Sequence, residues 1–359
     1  MRNDVASRFR DIASGKTQGV VASFARILLS VAEAPYRWVV TVRNRRFDRG
    51  RNVTHVDVPV ISVGNLTLGG TGKTPFIEWL AHWFRQREVR VSIVSRGYGA
   101  KKAEQRNDEA KQLDHLLPDV PHLQNPDRIT AANVAIEELA TQLILLDDGF
   151  QHRRLARDLD IVLIDATEPF GFDHVFPRGA LREPLDGLRR ADLIVITRSD
   201  LVEPEQLQAI QHRLEQIVPD SPILIAVHQP AHLRTSSGRT VALDHLTGKR
   251  IGIFCAIGNP AAFQKSIAKT GAVVTDALEF PDHHVFNEAD MAEIQRWVQQ
   301  AGPFDVLLCT HKDLVKLNVD RLAGCPLFAF SIQMAFPNGA DALEVKLQNV
   351  LDQIPADAW

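Results

Sequence analysis

Thr67-Leu68-Gly69-Gly70-Thr71-Gly72-Lys73-Thr74 is the stretch from which a fold class can first be inferred. It follows a short apolar strand candidate at Val60 to Val63, and a helical pattern begins at Pro75. A strand, a glycine-rich loop and a helix in this order direct several backbone N–H groups and a helix N-terminus at one point, which suits a polyphosphate. The pattern predicts that Lys73 reaches the β- and γ-phosphates of a nucleoside triphosphate and that the Thr74 hydroxyl holds Mg²⁺.

Thr67 departs from the strict phosphate-loop pattern, which has glycine at its first position. From Gly69 onward the pattern is intact, and this part of the loop carries the close approach to phosphate. We therefore predict that the whole stretch binds the nucleotide; its members are Thr67, Leu68, Gly69, Gly70, Thr71, Gly72, Lys73 and Thr74. The structural alternative is a glycine-rich turn that happens to precede a helix.

Composition limits the class of protein. The chain has 359 residues, enough for two domains with separate cores. A net charge of −3 gives no reason to expect a nucleic-acid partner, and no sign of an obligate protein partner is evident. The cysteines Cys255, Cys309 and Cys325 are odd in number and scattered. This usage indicates a reducing compartment and argues against a disulfide framework or a structural zinc site.

Beyond residue 57, strand candidates alternate with helical stretches. The apolar strand candidates are Val60–Val63, Val91–Val94, Leu143–Leu146, Ile161–Ile164 and Leu193–Ile196, then Ile251–Cys255, Ala272–Val274, Val306–Cys309 and Leu327–Phe330. The alternation predicts an α/β fold: a P-loop NTPase-like, mostly parallel sheet with helices on both faces, plus a second, smaller α/β domain. The stretch Gln229 to Val241 is typical of a connector or hairpin. We therefore predict an N-terminal helical segment at 1–55, a P-loop domain at 56–234 and a smaller domain at 235–359.

The N-terminal segment has an amphipathic pattern. Its apolar residues fall on one face at helical spacing; they are Val20, Phe24, Ile27, Leu28 and Val31. We expect Pro35 to end this helix before it is long enough to span a bilayer. Interfacial aromatics and a basic flank follow; these are Tyr36, Trp38, Arg43, Arg45, Arg46, Arg49 and Arg51. Such a helix could lie on an anionic cytoplasmic leaflet, or it could pack on the body of the protein with its arginines in water.

Two carboxylates end one of the predicted strands. Leu143 to Leu146 is followed by Asp147, Asp148 and Gly149. In phosphate-loop enzymes an acid at such a strand end completes the Mg²⁺ shell, so Asp147 is the first candidate and Asp148 the second. The alternative is a strand-to-turn Asp-Asp-Gly with no ligand.

Other loops carry further candidates. Arg96 and Tyr98 lie in Ser95-Arg-Gly-Tyr-Gly99 and could contact an anionic, sugar-bearing substrate or simply form a turn. Arg182 and Glu183 are adjacent, so both could address a metal–phosphate centre from one loop. His283 could take part in proton transfer beside an acid, since no third metal ligand is visible near the His283-His284 pair.

Together these segments resemble the tetraacyldisaccharide 4'-kinase family, the lipid A 4'-kinases. The matching segments are Val63-Gly-Asn-Leu-Thr-x-Gly-Gly-x-Gly-Lys-Thr-Pro75, Ser95-Arg-Gly-Tyr-Gly99, Asp147-Asp-Gly-x-Gln-His152, Pro177-x-Gly-x-Leu-Arg-Glu183 and Asp282-His283. The resemblance implies ATP- and Mg²⁺-dependent phosphorylation of the 4'-hydroxyl of a tetraacylated disaccharide 1-phosphate. It also implies a glycolipid partner at the cytoplasmic face of the inner membrane, and a membrane-associating N-terminal helix.

The resemblance further implies roles for single residues. Asp108 takes the place of the acid in the family's Gly-Asp-Glu-Pro segment, although the flanking glycine and proline are replaced, and His283 matches the family's histidine. Asp108, oriented by His283 after closure of two α/β domains, would then accept the proton of the sugar hydroxyl, with Asp148 as the alternative base. Asp147, Glu183 and Thr74 would hold the metal. Substrate contacts are assigned to Arg96, Tyr98, Arg182 and His152. His311 replaces the glutamate of the family's usual Thr-Glu-Lys-Asp segment.

Two other functions fit the same loop. One is a phosphate-loop NTPase that drives metal insertion or protein assembly, although no Cys-x-x-Cys or histidine-rich tract is present to carry metal. The other is a kinase of a soluble small molecule, with the N-terminal helix packed on the protein.

Overall fold

The computed structural model describes residues 9–97, 108–257, 260–281 and 284–354. The chain divides into two compact units. The first comprises Met1–Gln105, Leu117–Val227 and Phe336–Trp359, and the second comprises Arg106–Leu116 and His228–Ala335.

Helices occur throughout the described residues. A short helical turn at residues 9–13 comes first. The α-helices that follow are α1 (Val20–Asp48), α2 (Lys73–Arg85), α3 (Asp108–Leu116), α4 (Arg128–Leu139), α5 (Pro204–Ile217), α6 (Pro260–Ala268), α7 (Glu288–Ala301), α8 (His311–Leu317) and α9 (Asp341–Leu351).

The first unit is built around a parallel sheet. Its strands among the described residues are β1 (Val60–Asn65), β2 (Val91–Ser95), β3 (His122–Gln124), β4 (Leu143–Asp147), β5 (Leu159–Asp165), β6 (Leu193–Thr197) and β7 (Ile223–Ile225). They are ordered β3-β2-β4-β1-β5-β6-β7, and every pairing is parallel. Each strand predicted in this half is confirmed. These strands could be recognised because a parallel sheet covered on both faces needs continuous apolar strands.

Strand β1 lies near the middle of this sheet. All six of its residues are buried. Helix α2 follows it and buries Phe76, Leu80 and Phe84 completely. Because the strand is buried on both sides and the helix after it is packed, the two ends of the loop between them are held rigidly.

Helix α1 is longer than its sequence predicts. It runs from Val20 to Asp48 with Pro35 inside it, so the expectation that Pro35 ends the helix is wrong. A proline in a helix removes one backbone hydrogen bond. That loss is offset here because residues on both sides of Pro35 are fastened to the first unit. Glu33 accepts from the backbone N–H of Val175 at 2.8 Å, and the Tyr36 hydroxyl donates to the carbonyl of Arg182 at 3.2 Å.

Helix α1 also keeps much of its apolar surface in solvent. Its exposed large apolar residues are Val20, Val21, Phe24, Ile27, Leu28, Val31, Trp38 and Val39. Among the described residues, no helix combines the length and apolar character needed to cross a membrane.

The second unit has its own mixed sheet. Its strands among the described residues are β8 (Val227–Arg234), β9 (Thr240–Val241), β10 (Arg250–Cys255), β11 (Val273–Glu279), β12 (Val306–Cys309), β13 (Arg321–Leu322) and β14 (Cys325–Ala335). Their order is β11-β10-β12-β14-β8-β9, and β13 pairs with β14. Strands β8 and β9 pair antiparallel, which confirms the hairpin alternative for residues 229–241.

The two units do not follow the predicted boundaries in full. Residues from Phe336 onward, including α9, group with the first unit, whereas α3 groups with β10 to β14. The change of unit occurs at Val227 and His228 and not near residue 235. The difference arises because β8 begins before the Pro/Ser/Gly-rich turn that suggested the boundary, so the turn lies inside a hairpin of the second unit.

Candidate active site

The glycine-rich loop adopts backbone conformations that glycine favours. Gly69 has φ 131° and Gly72 has φ 86°. A Cβ added to Gly70 would meet nothing within 4 Å. Lys73 opens α2, so the helix N-terminus faces the loop. The loop therefore leaves space beside its own backbone where an anion can approach.

Thr67 fits the first position of this loop. Its backbone is not in the left-handed region, so a side chain is accommodated where other phosphate loops have glycine. Thr67 forms an antiparallel bridge with Leu181, and the neighbouring Leu68 N–H donates to the carbonyl of Ala180 at 2.7 Å. Sequence comparison alone could not have supplied this reason for the exception.

Lys73 is held at the centre of a polar network. Its Nζ donates to Oδ1 of Asn65 at 3.1 Å and lies 3.4 Å from Oδ1 of Asp148. The Asn65 amide in turn donates to the carbonyl of Thr67 at 2.8 Å. Asn65 thus joins the lysine to the loop that the lysine serves.

The two predicted acids occupy different environments. Asp147 ends β4 opposite Val63 of β1 and is buried. Asp148 follows with φ 54°, and Nη1 of Arg182 lies 2.9 and 2.8 Å from its two carboxylate oxygens. Burial by itself raises the pKa of Asp148, but the positive charges of Lys73 and Arg182 outweigh it and lower the pKa below its ordinary value. Asp148 is therefore ionised at neutral pH.

Glu183 is the centre of a hydrogen-bonded cluster. It is 1% exposed, and Nη2 of Arg190 lies 3.0 and 3.1 Å from its two oxygens. Asn44 of α1 donates to Oε2 at 2.5 Å and Gln151 donates to Oε1 at 3.2 Å. Gln151 also accepts from Arg182 at 3.4 Å, which connects this cluster to Asp148. Glu183 therefore joins α1 to the loop that carries the acids.

His152 lies among arginines. Burial first, then the charges of Arg128, Arg157 and Arg154, lower its pKa to about 4, so the ring is neutral at pH 7. An arginine can only donate, and Nη1 of Arg128 lies 3.2 Å from Nδ1 of His152. The proton of the neutral ring is therefore on Nε2, which has no hydrogen-bond partner among the described residues. Nε2 is itself buried, so this proton does not face solvent.

Sequence reasoning missed several members of these networks. Arg128 is 6% exposed at the start of α4, yet nothing in its local sequence distinguishes it from a surface arginine. Asn44 lies far from Glu183 in the chain, and Arg190 lies seven residues after it; neither was singled out. Gln151 alone had a signal, because it stands inside the Asp-Asp-Gly-x-Gln-His segment.

The predicted metal ligands present oxygen atoms only, from Thr74 and Asp147, which suits Mg²⁺. In the described part of the chain, no group of three or more His, Cys, Asp or Glu side chains could hold a metal ion. Magnesium fits such a site, because it commonly takes one or two carboxylates and completes its shell with phosphate oxygens and water. Glu183 remains a predicted ligand, but it would have to exchange a hydrogen bond from Arg190, Asn44 or Gln151 for the metal.

Three predicted side chains, those of Tyr98, Asp108 and His283, are outside the part of the chain that the structure describes. Tyr98 and His283 lie outside the described residues, and Arg96 is exposed directly after β2. Asp108 begins α3, but its side chain is outside what the structure describes. Helix α3 groups with the second unit, which also holds the strands around residue 283.

Comparison with known proteins identifies the family. Residues 25–352 match the family model described as tetraacyldisaccharide-1-P 4'-kinase. The tetraacyldisaccharide 4'-kinase of Anaeromyxobacter sp. (strain K) is 36% identical over 356 residues, covering 94% of each chain. The enzyme of that name from Geobacter sulfurreducens is 34% identical over 361 residues, covering 96% of this chain and 98% of the relative.

A solved structure agrees with this assignment. LpxK from Aquifex aeolicus, crystallised in complex with ATP, superposes with a TM-score of 0.73 at 30% identity and covers 91% of this chain and 99% of its own. The predicted fold class and the family resemblance are thereby confirmed. With its phosphate loop, its paired acids and a family match over most of its length, the chain belongs to the tetraacyldisaccharide-1-P 4'-kinase family.

Proposed function

We propose that this chain transfers the γ-phosphate of ATP to the 4'-hydroxyl of a tetraacyldisaccharide 1-phosphate in lipid A biosynthesis. The observation that carries this proposal is the chain of contacts from Lys73 through Asp148 to Arg182 beside an open glycine-rich loop. It occurs in a chain whose relatives carry the name of that kinase.

The nucleotide side of the reaction follows from this geometry. Phosphoryl transfer depends mainly on positioning and on neutralising charge. The loop N–H groups and Lys73 would bind the β- and γ-phosphates, and Lys73 would exchange its contact with Asp148 for phosphate oxygens. Thr74 and Asp147 would hold Mg²⁺, with Glu183 as a further predicted ligand. Bound Mg²⁺ would supply positive charge to the transferred phosphoryl group.

The acceptor side uses a different set of groups. His152 is a predicted substrate contact, and Arg182, held by Asp148, adds a positive charge beside the phosphate loop. Arg96 and Tyr98 are the remaining predicted contacts. This combination suits an acceptor that carries both hydroxyl groups and an anionic 1-phosphate.

We assign the proton-accepting role to Asp108, oriented by His283. Asp148 is the second candidate, but its lowered pKa and its contacts with Lys73 and Arg182 make it a weaker base at neutral pH. We therefore expect that loss of Asp108 abolishes phosphate transfer and has little effect on the affinity for ATP.

The deciding experiment is transfer of labelled phosphate from ATP to a tetraacyldisaccharide 1-phosphate in detergent micelles. Wild type should label the lipid, Asp108→Ala should not, and Asp114→Ala on the same helix should retain activity as the matched control. An active Asp108→Ala variant would move the base to Asp148. An ATP-hydrolysing wild type that leaves the lipid unlabelled would overturn the lipid-kinase proposal in favour of an assembly NTPase.

We further propose that the chain works at the cytoplasmic face of the inner membrane through helix α1. The support is the row of exposed apolar residues Phe24, Ile27 and Val31, whose exposed fractions are 61, 61 and 67%. Apolar surface on an amphipathic helix with a basic flank favours an anionic membrane surface. Such a location would bring the site to its glycolipid substrate.

Point substitutions test this location better than deletion of the helix, because deletion would also remove Asn44 and its bond to Glu183. The triple variant F24S/I27S/V31S should lose sedimentation with anionic vesicles yet keep its melting temperature. The matched control is V134S/V273S/V345S, which changes three exposed apolar residues outside α1. Equal sedimentation of both variants would contradict the role of α1.

A further inference from the structure

Arg10 lies beside the phosphate loop. An ideal Cβ on Gly69 would be 3.4 Å from Nη2 of Arg10, so the guanidinium is next to the backbone of the loop. Arg10 belongs to the helical turn at residues 9–13, which precedes α1. The family match begins at residue 25, so this arginine belongs to a segment that the match does not include.

The turn that carries Arg10 is fastened to the first unit. Nη1 of Arg178 donates to the carbonyl of Ala13 at 3.1 Å, and Ala13 is 4% exposed. Nη1 of Arg26 donates to the carbonyl of Thr17 at 2.9 Å just beyond the turn. These bonds hold the backbone on the C-terminal side of Arg10 and so limit where its side chain can reach.

One stretch supports both the turn and the loop. Arg178 binds the turn, and two residues later the carbonyl of Ala180 accepts the N–H of Leu68 at 2.7 Å. The closeness of Arg10 to Gly69 therefore follows from a common support.

The ion pair of Arg10 with Glu168 is weak, so the guanidinium can still bind an anion. Its Nε lies 3.9 Å from Oε2 of Glu168, which is at the outer limit of an ion pair, and the Arg10 side chain is 51% exposed. A pair of this kind contributes little to stability. The Glu168 side chain is 25% exposed, and its burial, opposed by the positive charge of Arg10, raises its pKa.

We infer that Arg10 is a further nucleotide-binding residue, which places its guanidinium on the polyphosphate of ATP at the Gly69 side of the phosphate loop. The inference rests on the proposed kinase function and adds a residue to its nucleotide site. Lys73 approaches the phosphates from the start of α2, whereas Arg10 approaches from the N-terminal turn. Two cations from different segments neutralise a triphosphate better than one, and an arginine can offer two parallel donors to phosphate oxygens.

The test is binding of a fluorescent ATP analogue, with magnesium and without lipid, to wild type, R10A, R10K and K16A. A hydrogen bond between charged groups at an exposed site predicts that R10A weakens binding about tenfold. R10K should fall between wild type and R10A, because it keeps the charge but loses the fork. Lys16 lies on the same N-terminal segment and also influences Glu168, so K16A is the matched control for loss of one charge.

Two further measurements separate a phosphate contact from the alternatives. The double variant R10A/E168Q should bind as weakly as R10A; recovery to wild-type affinity would mean that Arg10 merely neutralises Glu168, and would overturn the inference. In the transfer assay, R10A should raise the KM for ATP and leave the KM for the lipid unchanged. An R10A variant that binds nucleotide like wild type would refute the inference and leave the kinase proposal intact, whereas failure of wild type to bind ATP would refute both.

Discussion

Replacement of Arg190 by methionine isolates the role of the Glu183 cluster. The carboxylate of Glu183 is 1% exposed and loses its charged partner in this variant, while Asn44 and Gln151 remain as neutral donors. Methionine retains apolar contact with the ring of Phe150, over which the Arg190 guanidinium lies at 4.4 Å. The substitution therefore removes the charge and keeps most of the packing.

The expected loss of stability follows from the burial of the pair. Removal of one partner of a buried ion pair costs about 3–5 kcal/mol, because the other charge is left uncompensated. The Arg190 side chain is 19% exposed, so water can partly replace it, and we expect a value at the lower end, about 3 kcal/mol. For a unit of this size the melting temperature should then fall by roughly 6–12 °C.

Thermal unfolding at neutral pH measures this effect. The control is R85M, which breaks the exposed pair between Arg85 and Asp119 and should cost at most about 1 kcal/mol. The double variant E183Q/R190M should be more stable than R190M, because no buried charge remains unpaired. If R190M melts no earlier than R85M, or if E183Q restores nothing, Glu183 is not a buried charge that depends on Arg190.

Three further predictions concern single positions. Gly64→Ala should lower the melting temperature sharply, since the new Cβ would lie 2.5 Å from Cβ of Phe150. Gly70→Ala meets no atom within 4 Å, so its melting temperature should stay unchanged while ATP affinity falls in a nucleotide titration; unchanged affinity would place the phosphates elsewhere. Burial, then the charge of Arg234, lowers the pKa of His311 to about 3. The stability that neutral His311 contributes is therefore fully present above its ordinary pKa of 6.5 and is lost as the pH falls from there towards about 3. His311→Asn should therefore lose less melting temperature than wild type between neutral and acidic pH; an equal loss would show that His311 does not contribute.

The loop after β1 and the end of β4 illustrate how much a local sequence pattern can predict. The glycine-rich loop after β1 and the acids at the end of β4 were predictable as structural features, because each directly follows or ends an apolar strand. The parallel strands were predictable because burial on both faces demands an unbroken apolar run.

The contacts around Glu183 illustrate the opposite case. Its partners Asn44, Gln151 and Arg190 come from a long α-helix, a loop and a short 3-10 helix, and no periodicity relates their positions. The course of α1 through Pro35 was mispredicted for a similar reason, since docking of Glu33 and Tyr36 offsets a cost that local propensity alone would make decisive.

The amino-acid sequence by itself determined the family, the α/β class and the position of the glycine-rich loop, because these depend on neighbouring residues. Only the tertiary structure decided that Glu183 is a buried, fully bonded carboxylate, that His152 is neutral, and that Arg10 lies at the loop. Burial, charge state and contact between distant segments depend on which surfaces the folded chain brings together, and short stretches of sequence do not encode that.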